Sequence, residues 1–360
     1  MEYLNSLLHA KGHLIIVKNK VEAGIVPCEN IQKALEYFTE ENSYQLDRIY
    51  PAEDPSIIDI SNGQEHIQLR QSTNGPFANL ESIIDGKFDG IYIETIDLNP
   101  PIKVPDANSY FEINKMTNDS SWVVGRVGLE YRNLLHHQND RFGASHIRIN
   151  EGGVTSDYVH YHQLRFQMIY CYKGWAKMVY ENQGEPFIMN EGDCILQAPE
   201  IRHRVLACKK GLEVIEINSP GKHMTARDHE LILPTGKLIP DRLFGGQKYV
   251  HYKGNTGHDD FGFLDATNGM MSANTIHPQS DVIIKNECPF LFHFILTGTC
   301  ELTYDGIQPL SAGDCYVIPN SGEFNLAHCS ADLKVLEVRE ENKLSPNPSF
   351  EREENERGEL

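Results

Sequence analysis

Two histidines stand one residue apart in the stretch VHYHQLRFQ, residues 159–167. Side chains alternate between the two faces of a β-strand, so His160 and His162 are expected to point into the same space. Gln167 follows five residues after His162, and His203 comes later in the chain. Neutral imidazoles bind zinc, iron, nickel and copper, so this spacing suits a metal site. Taken alone, however, such a pair is also common on solvated strands.

The region that must position these residues, from about 140 to about 340, is a series of short strand-like runs separated by Gly, Asn, Asp and Pro turns. This pattern is typical of antiparallel sandwiches and barrels. Two stretches within it, starting at Tyr170 and Phe294, look alike. Each has a strand, a glycine turn, a second strand, a Gly-Asp step, a third strand and a proline. A repeat of this size predicts two similar β-barrels in tandem.

At these residues the chain resembles the cupin superfamily. Two cupin motifs, GxxxxxxHxHxxxxQ…G and GDxxxxxPxxxH, match the sequence at Gly153, His160, His162, Gln167 and Gly174, and at Gly192, Asp193, Pro199 and His203. The resemblance covers residues 140–340 and implies a jelly-roll barrel that occurs twice. It also implies one divalent transition metal per chain (Fe, Ni, Zn or Mn), with His160, His162, Gln167 and His203 as its ligands.

The second copy of the repeat has lost these ligand types. When the glycine turns and Gly-Asp steps are aligned, the four ligand positions become Ile284, Asn286, Leu291 and Phe324. A barrel without a metal can fill its centre with side chains. We therefore expect a single metal site, in the first barrel, and no metal at His293 or His328.

Gln167 affects the expected charge of the metal site, because cupins usually have glutamate where this chain has Gln167. A neutral amide leaves a divalent ion with its full +2 charge, which favours an anionic, chelating substrate. Glu216 is a candidate acid/base. Tyr158 shares the strand parity of the two histidines and is the second candidate catalytic residue.

Three cations are candidate substrate-binding residues. Small cupins that open unsaturated uronate rings resemble this chain in placing an acid and a cation around a proline, here Glu216 and Lys222 around Pro220. Lys222 would then hold a substrate carboxylate as a point charge. Arg148 would suit an anion if it faces the barrel interior, and Arg165, in the turn between ligands, would lie at the rim of the site.

Three functions are compatible with this pattern. The first is a non-haem dioxygenase-type oxidoreductase acting on a small oxygen-rich metabolite, which rests on analogy with bicupin enzymes that have one working barrel. The second is a Lewis-acid isomerase or lyase of the uronate ring-opening type. The third is a cupin that binds a small molecule without turnover.

The overall prediction is a mainly β fold with tandem double-stranded β-helix barrels and a small α+β N-terminal module. Residues 1–75 read as strand, helix and three strands, beginning with HLIIVKN at 13–19. This order resembles one βαβββ module of the glyoxalase (vicinal oxygen chelate) superfamily. The remaining predicted limits are a connector at 76–139, barrels at 140–230 and 231–342, and a disordered acidic tail at 343–360.

Composition limits the classes of partner and the cellular compartments that we expect for this protein. A net charge of −19 argues against nucleic acid or an anionic membrane as the main partner. No apolar run reaches the length of a membrane span, and no signal peptide is evident at the start. Eight scattered cysteines without a CxxC pair fit buried thiols in a reducing cytosol. The cupin resemblance favours a homodimer acting on a small-molecule substrate.

Overall fold

A computed structural model describes residues 20–341, except for 53, 76, 78–91, 108, 118–120, 126–127, 137–139, 256 and 258. The strand predicted at 13–19 and the tail predicted at 343–360 lie outside these residues. Within them, no helix is long and apolar enough to cross a membrane. No disulfide links the eight cysteines, and all but Cys329 are buried.

The described part of the N-terminal module begins with a strand that the sequence did not predict, continues with the predicted helix and three strands, and adds a further strand from the predicted connector. Its elements are β1 (Lys20–Cys28), α1 (Ile31–Glu36) with a π-helical turn (Tyr37–Glu41), β2 (Gln45–Tyr50), β3 (Ile57–Ser61), β4 (His66–Gln71) and β5 (Tyr92–Asp97). The side chain of Asn30 caps α1 by accepting from the Lys33 N–H at 2.9 Å. Strand β1 pairs parallel with β4 and antiparallel with β5. Kinship with the glyoxalase superfamily remains a prediction.

The first barrel is built from two antiparallel sheets. Its strands are β7 (Val123–Val124), β8 (Glu130–Asn133), β9 (Gly143–Ile149), β10 (Gly153–Val154), β11 (His160–Gln163), β12 (Phe166–Lys173), β13 (Trp175–Tyr180), β14 (Phe187–Asn190), β15 (Cys194–Gln197), β16 (His203–Cys208), β17 (Leu212–Ser219), β18 (Met224–Arg227) and β21 (Val250–Tyr252). One sheet has the order β14-β13-β16-β11-β18, with β10 also pairing with β16, and the other has the order β21-β15-β12-β17-β9-β8-β7. A small hairpin, β19 (Leu243–Phe244) with β20 (Gln247–Lys248), precedes β21.

The second barrel repeats this plan. Its elements are α2 (Phe263–Ala266), β22 (Met271–Ile276), β23 (Val282–Lys285), β24 (Phe290–Thr297), β25 (Thr299–Thr303), β26 (Ile307–Ser311), β27 (Cys315–Ile318), β28 (Glu323–Ala327) and β29 (Lys334–Glu340). Strand β24 lies between β27 and β29, as β12 lies between β15 and β17. The tandem jelly-roll fold predicted from the repeat is therefore confirmed.

Three strands pair outside the predicted limits of the segments that contain them. Strand β8 lies in the predicted connector, yet it extends a sheet of the first barrel. The connector also supplies β6 (Glu112–Asn114), which pairs with β27 of the second barrel. Strand β21 lies within the predicted limits of the second barrel but pairs with β15 of the first. The domain boundaries themselves remain predictions.

The largest apolar core lies between the two barrels. Phe290, Phe292 and Phe294 alternate along β24 and are fully buried against the first barrel. The ring of Phe290 stacks on Phe142, with the centroids 3.8 Å apart. This packing joins the second barrel to the outer face of the sheet that carries Gln167.

The N-terminal module continues the other sheet of the first barrel. Strand β18 pairs with β11 on one side and with β2 on the other, where Thr225 lies opposite Ile49. Beside this junction, Arg48 is buried and forms a 2.6 Å ion pair with Asp59. The strand that carries His160 and His162 is therefore one strand away from the module.

The centre of the second barrel is filled by side chains. Ile284 lies opposite Phe324 in the pairing of β23 with β28, just as His160 lies opposite His203 in the first barrel. The sequence alignment of these positions is thus reproduced by the strand register. His293 is fully buried and contacts the Tyr316 hydroxyl at 2.6 Å and the Glu337 carboxylate at 2.7 Å.

Candidate metal centre

Three histidines converge inside the first barrel. Antiparallel pairing places His160 directly opposite His203, and His162 follows on the same face of β11. The ring centroids of His160 and His203 are 4.2 Å apart, and those of His162 and His203 are 5.3 Å apart. One nitrogen from each ring lies within 4.8 Å of the others, and no other group of three potential ligands from His, Cys, Asp and Glu is found in the described part of the chain.

The second ring nitrogen of each histidine is already occupied. Nδ1 of His160 lies 2.8 Å from the carbonyl oxygen of Tyr158, and Nδ1 of His203 lies 3.0 Å from that of Ile201. A carbonyl can only accept, so both Nδ1 atoms must carry the hydrogen and donate. Nδ1 of His162 is held by the Thr225 hydroxyl at 2.8 Å. Contacts of this kind fix the ring orientation and leave Nε2 as the ligand atom, as in known metal sites. The donor set therefore fits a divalent transition metal.

Gln167 lies in the wall of the same cavity and is fully buried. Its side-chain oxygen accepts a hydrogen bond from Nε2 of Gln197 at 2.7 Å, and the oxygen of Gln197 accepts from the Tyr180 hydroxyl at 2.7 Å. An amide oxygen has two lone pairs, so one remains for a metal. This chain of contacts orients the Gln167 amide, and its role as a fourth ligand remains a prediction.

The histidines open onto a cavity of about 370 Å³. Much of the wall is apolar, with Ile147, Ile149, Ile169, Met178 and Val214 among its lining residues. The N-terminal module reaches this wall through Ala52. Pockets of this size, apolar with a few convergent polar groups, are typical of small-molecule sites.

The two candidate catalytic residues are placed differently. Glu216 lines the cavity, and its carboxylate accepts a hydrogen bond from the Asn218 side chain at 3.1 Å. Tyr158 is not among the lining residues of the described chain. Its ring lies beneath the guanidinium of Arg227, 4.7 Å from the ring centroid, and its backbone carbonyl holds His160. The Tyr158 ring also contacts that of His160 edge-on, with the centroids 5.8 Å apart, and its part in catalysis remains a prediction.

The three cations predicted to bind substrate lie outside the cavity lining. Arg148 points away from the cavity because its neighbours Ile147 and Ile149 point inward, and it pairs with Glu130 and stacks on Trp122. Arg165 is bound to Glu340 at 2.7 Å. Lys222 is half exposed and pairs with Asp140 at 2.9 Å. Their assignment as substrate-binding residues remains a prediction, and each of them already has a carboxylate partner elsewhere.

Sequence reasoning missed the residues that support the histidines. His223 is buried, and its Nε2 lies 3.2 Å from Nδ1 of His162. Burial lowers the pKa of His223 to about 4, so the ring is neutral near pH 7. Gln197 lies two residues before Pro199 of the second motif, and this closeness was the one available signal for it. No sequence pattern marks His223 or Thr225.

The contact between Thr225 and His162 provides a direct test of the site. Substitution Thr225→Val keeps the shape of the side chain but removes the hydroxyl. We expect metal affinity to fall about 10–100-fold, which is typical when the partner of a metal-binding histidine is lost. Competition with a chromophoric zinc chelator would measure this. Thr275→Val, which removes a buried hydroxyl in the second barrel, is the matched control. Equal affinities in the two variants would contradict the assignment.

Comparison with known proteins finds only solved structures of low sequence identity. No protein-family model matches the sequence, and no curated protein matches it. Among solved structures, salicylate 1,2-dioxygenase from Pseudaminobacter salicylatoxidans is 12% identical, with a TM-score of 0.49, over 67% of this chain and 86% of that one. A variant of Bacillus subtilis oxalate decarboxylase is 11% identical, with a TM-score of 0.43, over 66% and 80% of the two chains.

A third structure, the Escherichia coli protein Ylba, is 13% identical, with a TM-score of 0.42, over 66% of this chain and 93% of that one. At such identities and scores, the likeness carries no argument about reaction or substrate. The fold is defined by the strand pairing of the chain itself, which forms two jelly-roll barrels in tandem. The geometry of its first barrel is that of a candidate metal site.

Proposed function

We propose that this chain is a metal-dependent enzyme that acts on a small metabolite with oxygen atoms able to chelate the metal. One observation carries the proposal: three histidines, each with its second nitrogen already held, line a largely apolar cavity together with the Glu216 carboxylate. His160, His162 and His203 would hold the ion, with Gln167 as a neutral fourth ligand. A bound ion of this kind supplies Lewis acidity and, if it is iron, redox chemistry.

The protein's own groups have distinct tasks in this proposal. The apolar wall excludes water from a bound substrate, which strengthens electrostatic interactions inside the cavity. Glu216 can accept or return a proton, and the hydrogen bond from Asn218 orients its carboxylate. The contacts to Thr225, Tyr158 and Ile201 hold the three imidazoles in place before substrate arrives.

The cavity wall favours dioxygenase-type oxidation over ring opening of a charged sugar acid. No Lys or Arg of the described residues lines the cavity. Lys222, the cation that the uronate-type interpretation requires, is bound to Asp140 instead. A substrate is therefore expected to present its chelating oxygens to the metal and an uncharged, apolar body to the wall. The Lewis-acid isomerase or lyase remains the alternative, because Glu216 would serve it equally well.

Oxygen consumption tests the proposal. The protein would be reconstituted separately with iron, zinc, nickel and manganese, and screened with aromatic and aliphatic hydroxy acids and diketones, both in air and anaerobically. Oxygen uptake matched to substrate loss with iron, abolished in His203→Ala and at least 100-fold slower in Glu216→Gln, is the expected result. Glu301→Gln, at a partly exposed position of the second barrel, is the control.

The other outcomes separate the alternatives. Anaerobic turnover with zinc, nickel or manganese would contradict the dioxygenase proposal and support the Lewis-acid isomerase or lyase. Metal-dependent binding without turnover across the panel would favour a binding cupin instead. A homodimer and a cytosolic location are further proposals that rest on the sequence alone, as does the choice among iron, nickel, zinc and manganese.

A further inference from the structure

The cavity of the candidate metal centre continues beyond the histidines, along the inside of the first barrel. Residues directly opposite each other in an antiparallel pair present their side chains to the same face of the sheet. Met178 lies opposite Val205 in one sheet, and Ile147 lies opposite Val214 in the other. All four line the cavity, and Val205 follows His203 by two residues. These four side chains form an apolar level of the wall next to the histidines, the middle tier.

A second apolar level follows, the far tier. Ala176 and Gly153 both lie opposite Cys208. In the other sheet, Ile149 lies opposite Leu212. All five residues line the cavity. A buried cysteine behaves as a small hydrophobic residue, so the far tier offers no charged group to a ligand.

The strand register gives the length of this apolar part. Tyr180 lies opposite His203, and Ala176 lies opposite Cys208. Four residues of β13 separate the two levels, which corresponds to about 13 Å. Carbon–carbon bonds of about 1.5 Å advance an extended alkyl chain by about 1.3 Å each, so this length holds about ten carbons.

The far tier also borders the opening of the cavity. Among the described lining residues, all the exposed ones belong to the segment 151–156. Gly153 lies beside open space, because no heavy atom beyond its chain neighbours lies within 4 Å of the position that a Cβ would take. A ligand held at the histidines would therefore extend through the two tiers toward solvent.

The charges of the wall are separated from its apolar part. Leu212, Val214 and Glu216 follow one another on the same face of β17, so the Glu216 carboxylate lies on the histidine side of both tiers. Asp157 is also on that side, with its carboxylate 3.5 Å from Nδ1 of His160. Glu151 is exposed at the opening. The described lining has no Lys or Arg, so the part of a ligand that follows the tiers must be uncharged.

We propose that the substrate is a medium-chain aliphatic molecule, with a chelating head and a straight, uncharged tail of about eight to ten carbons. The head binds at the histidines, and the tail passes the middle and far tiers to the opening. The small side chain of Ala176 leaves room for the tail in the far tier. This inference rests on the proposed function, because the proposed metal holds the head.

Straight-chain alkyl hydroxamates test the proposal, because they chelate a metal through two oxygens and differ only in tail length. Acetohydroxamate to dodecanohydroxamate would be titrated calorimetrically into zinc-loaded protein. We expect the affinity to rise about fourfold for each added methylene, the usual gain for a buried methylene. It should level off beyond about ten carbons, where the tail leaves the opening.

Variants then locate the tail. Ala176→Leu and Ala176→Phe narrow the far tier and are expected to weaken decanohydroxamate at least tenfold, equivalent to about two buried methylenes. Both should leave acetohydroxamate unchanged, which also shows that the fold and the metal site are intact. Ala207→Leu is the matched control. Ala207 lies on the neighbouring strand opposite the exposed Lys177 and does not line the cavity, so neither probe should be affected.

The outcomes separate this inference from the proposed function. Affinity that is independent of chain length, or equal binding of decanohydroxamate by wild type and both Ala176 variants, would overturn the tail assignment. His162→Ala, without the metal, should bind every hydroxamate more weakly but retain the dependence on chain length. Identical binding with and without zinc would contradict the metal-dependent head, and with it the proposed function, while a retained dependence on chain length would still support the tail assignment.

Discussion

Replacement of His162 by alanine is expected to abolish metal binding, from about one equivalent per chain in the wild type to less than about a tenth. Two imidazoles would remain, and two neutral nitrogens hold a divalent ion far more weakly than three. The Thr225 hydroxyl and His223 would also lose the ring they contact. Elemental analysis of protein made without a histidine tag measures the effect directly.

The control for this experiment is a histidine whose replacement should affect neither the metal site nor the fold. His277 is partly exposed and its contact is with Asp259, far along the chain from the first barrel's motifs. His277→Ala should therefore retain the metal, and circular dichroism should show that both variants are folded. Retention of a full equivalent by His162→Ala would contradict the three-histidine site. An absence of metal from the wild type after reconstitution would contradict it as well.

The second large effect is expected in the second barrel, on stability. Glu337→Ala should lower the free energy of unfolding by about 3–5 kcal/mol, the usual cost of removing one partner from a buried ionic group. The carboxylate contacts the fully buried His293 at 2.7 Å and accepts two hydrogen bonds from Arg339, each of 2.9 Å. Its removal leaves both groups without their acceptor.

Chemical unfolding followed by circular dichroism measures this loss. Glu301→Ala is the control, because Glu301 is partly exposed in the same barrel and its removal should change the stability by less than about 0.5 kcal/mol. A loss below about 1 kcal/mol for Glu337→Ala would show that the buried network contributes little.

Acidification gives a second measurement on the same carboxylate. Burial raises the pKa of Glu337, but hydrogen bonds and charge from His293 and Arg339 outweigh it and lower the pKa to about 2. A glutamate with a depressed pKa stabilises the fold above its unfolded value of about 4.3, and this stabilisation is lost as the pH falls toward 2. The stability difference between wild type and Glu337→Gln should therefore shrink over this interval. A constant difference would contradict the ion pair.

The predictions that succeeded rest on short-range regularities. Strand alternation and two spaced motifs brought His160, His162 and His203 together correctly. The repeat aligned Ile284 with His160 and Phe324 with His203, and the strand register of the second barrel places Ile284 opposite Phe324 accordingly. Strand alternation, the spacing within each motif and the spacing of turns in the repeat can all be read directly from the sequence.

The placements that the sequence did not predict depend on contacts between distant segments. Whether Arg148 faces inward depends on how β9 docks onto the barrel, and one residue of offset reverses the answer. Lys222 forms an ion pair with Asp140, and Arg165 forms one with Glu340. In both cases the carboxylate lies in a distant segment that no sequence motif connects to the cation. His223 likewise contacts His162 only because β18 folds back beside β11.

The junction between β2 and β18 has a consequence for folding. Strand β2 ends at Tyr50, but its neighbour on one side, Met224–Arg227, comes far later in the chain. Until that segment is in place, β2 presents an open row of backbone N–H and C=O groups, which is the kind of edge that pairs with other chains. Pairings between such distant segments also form slowly. The module and the histidine-bearing sheet are therefore expected to complete their folding together, in one cooperative event, and the nascent chain before that event is the aggregation-prone species.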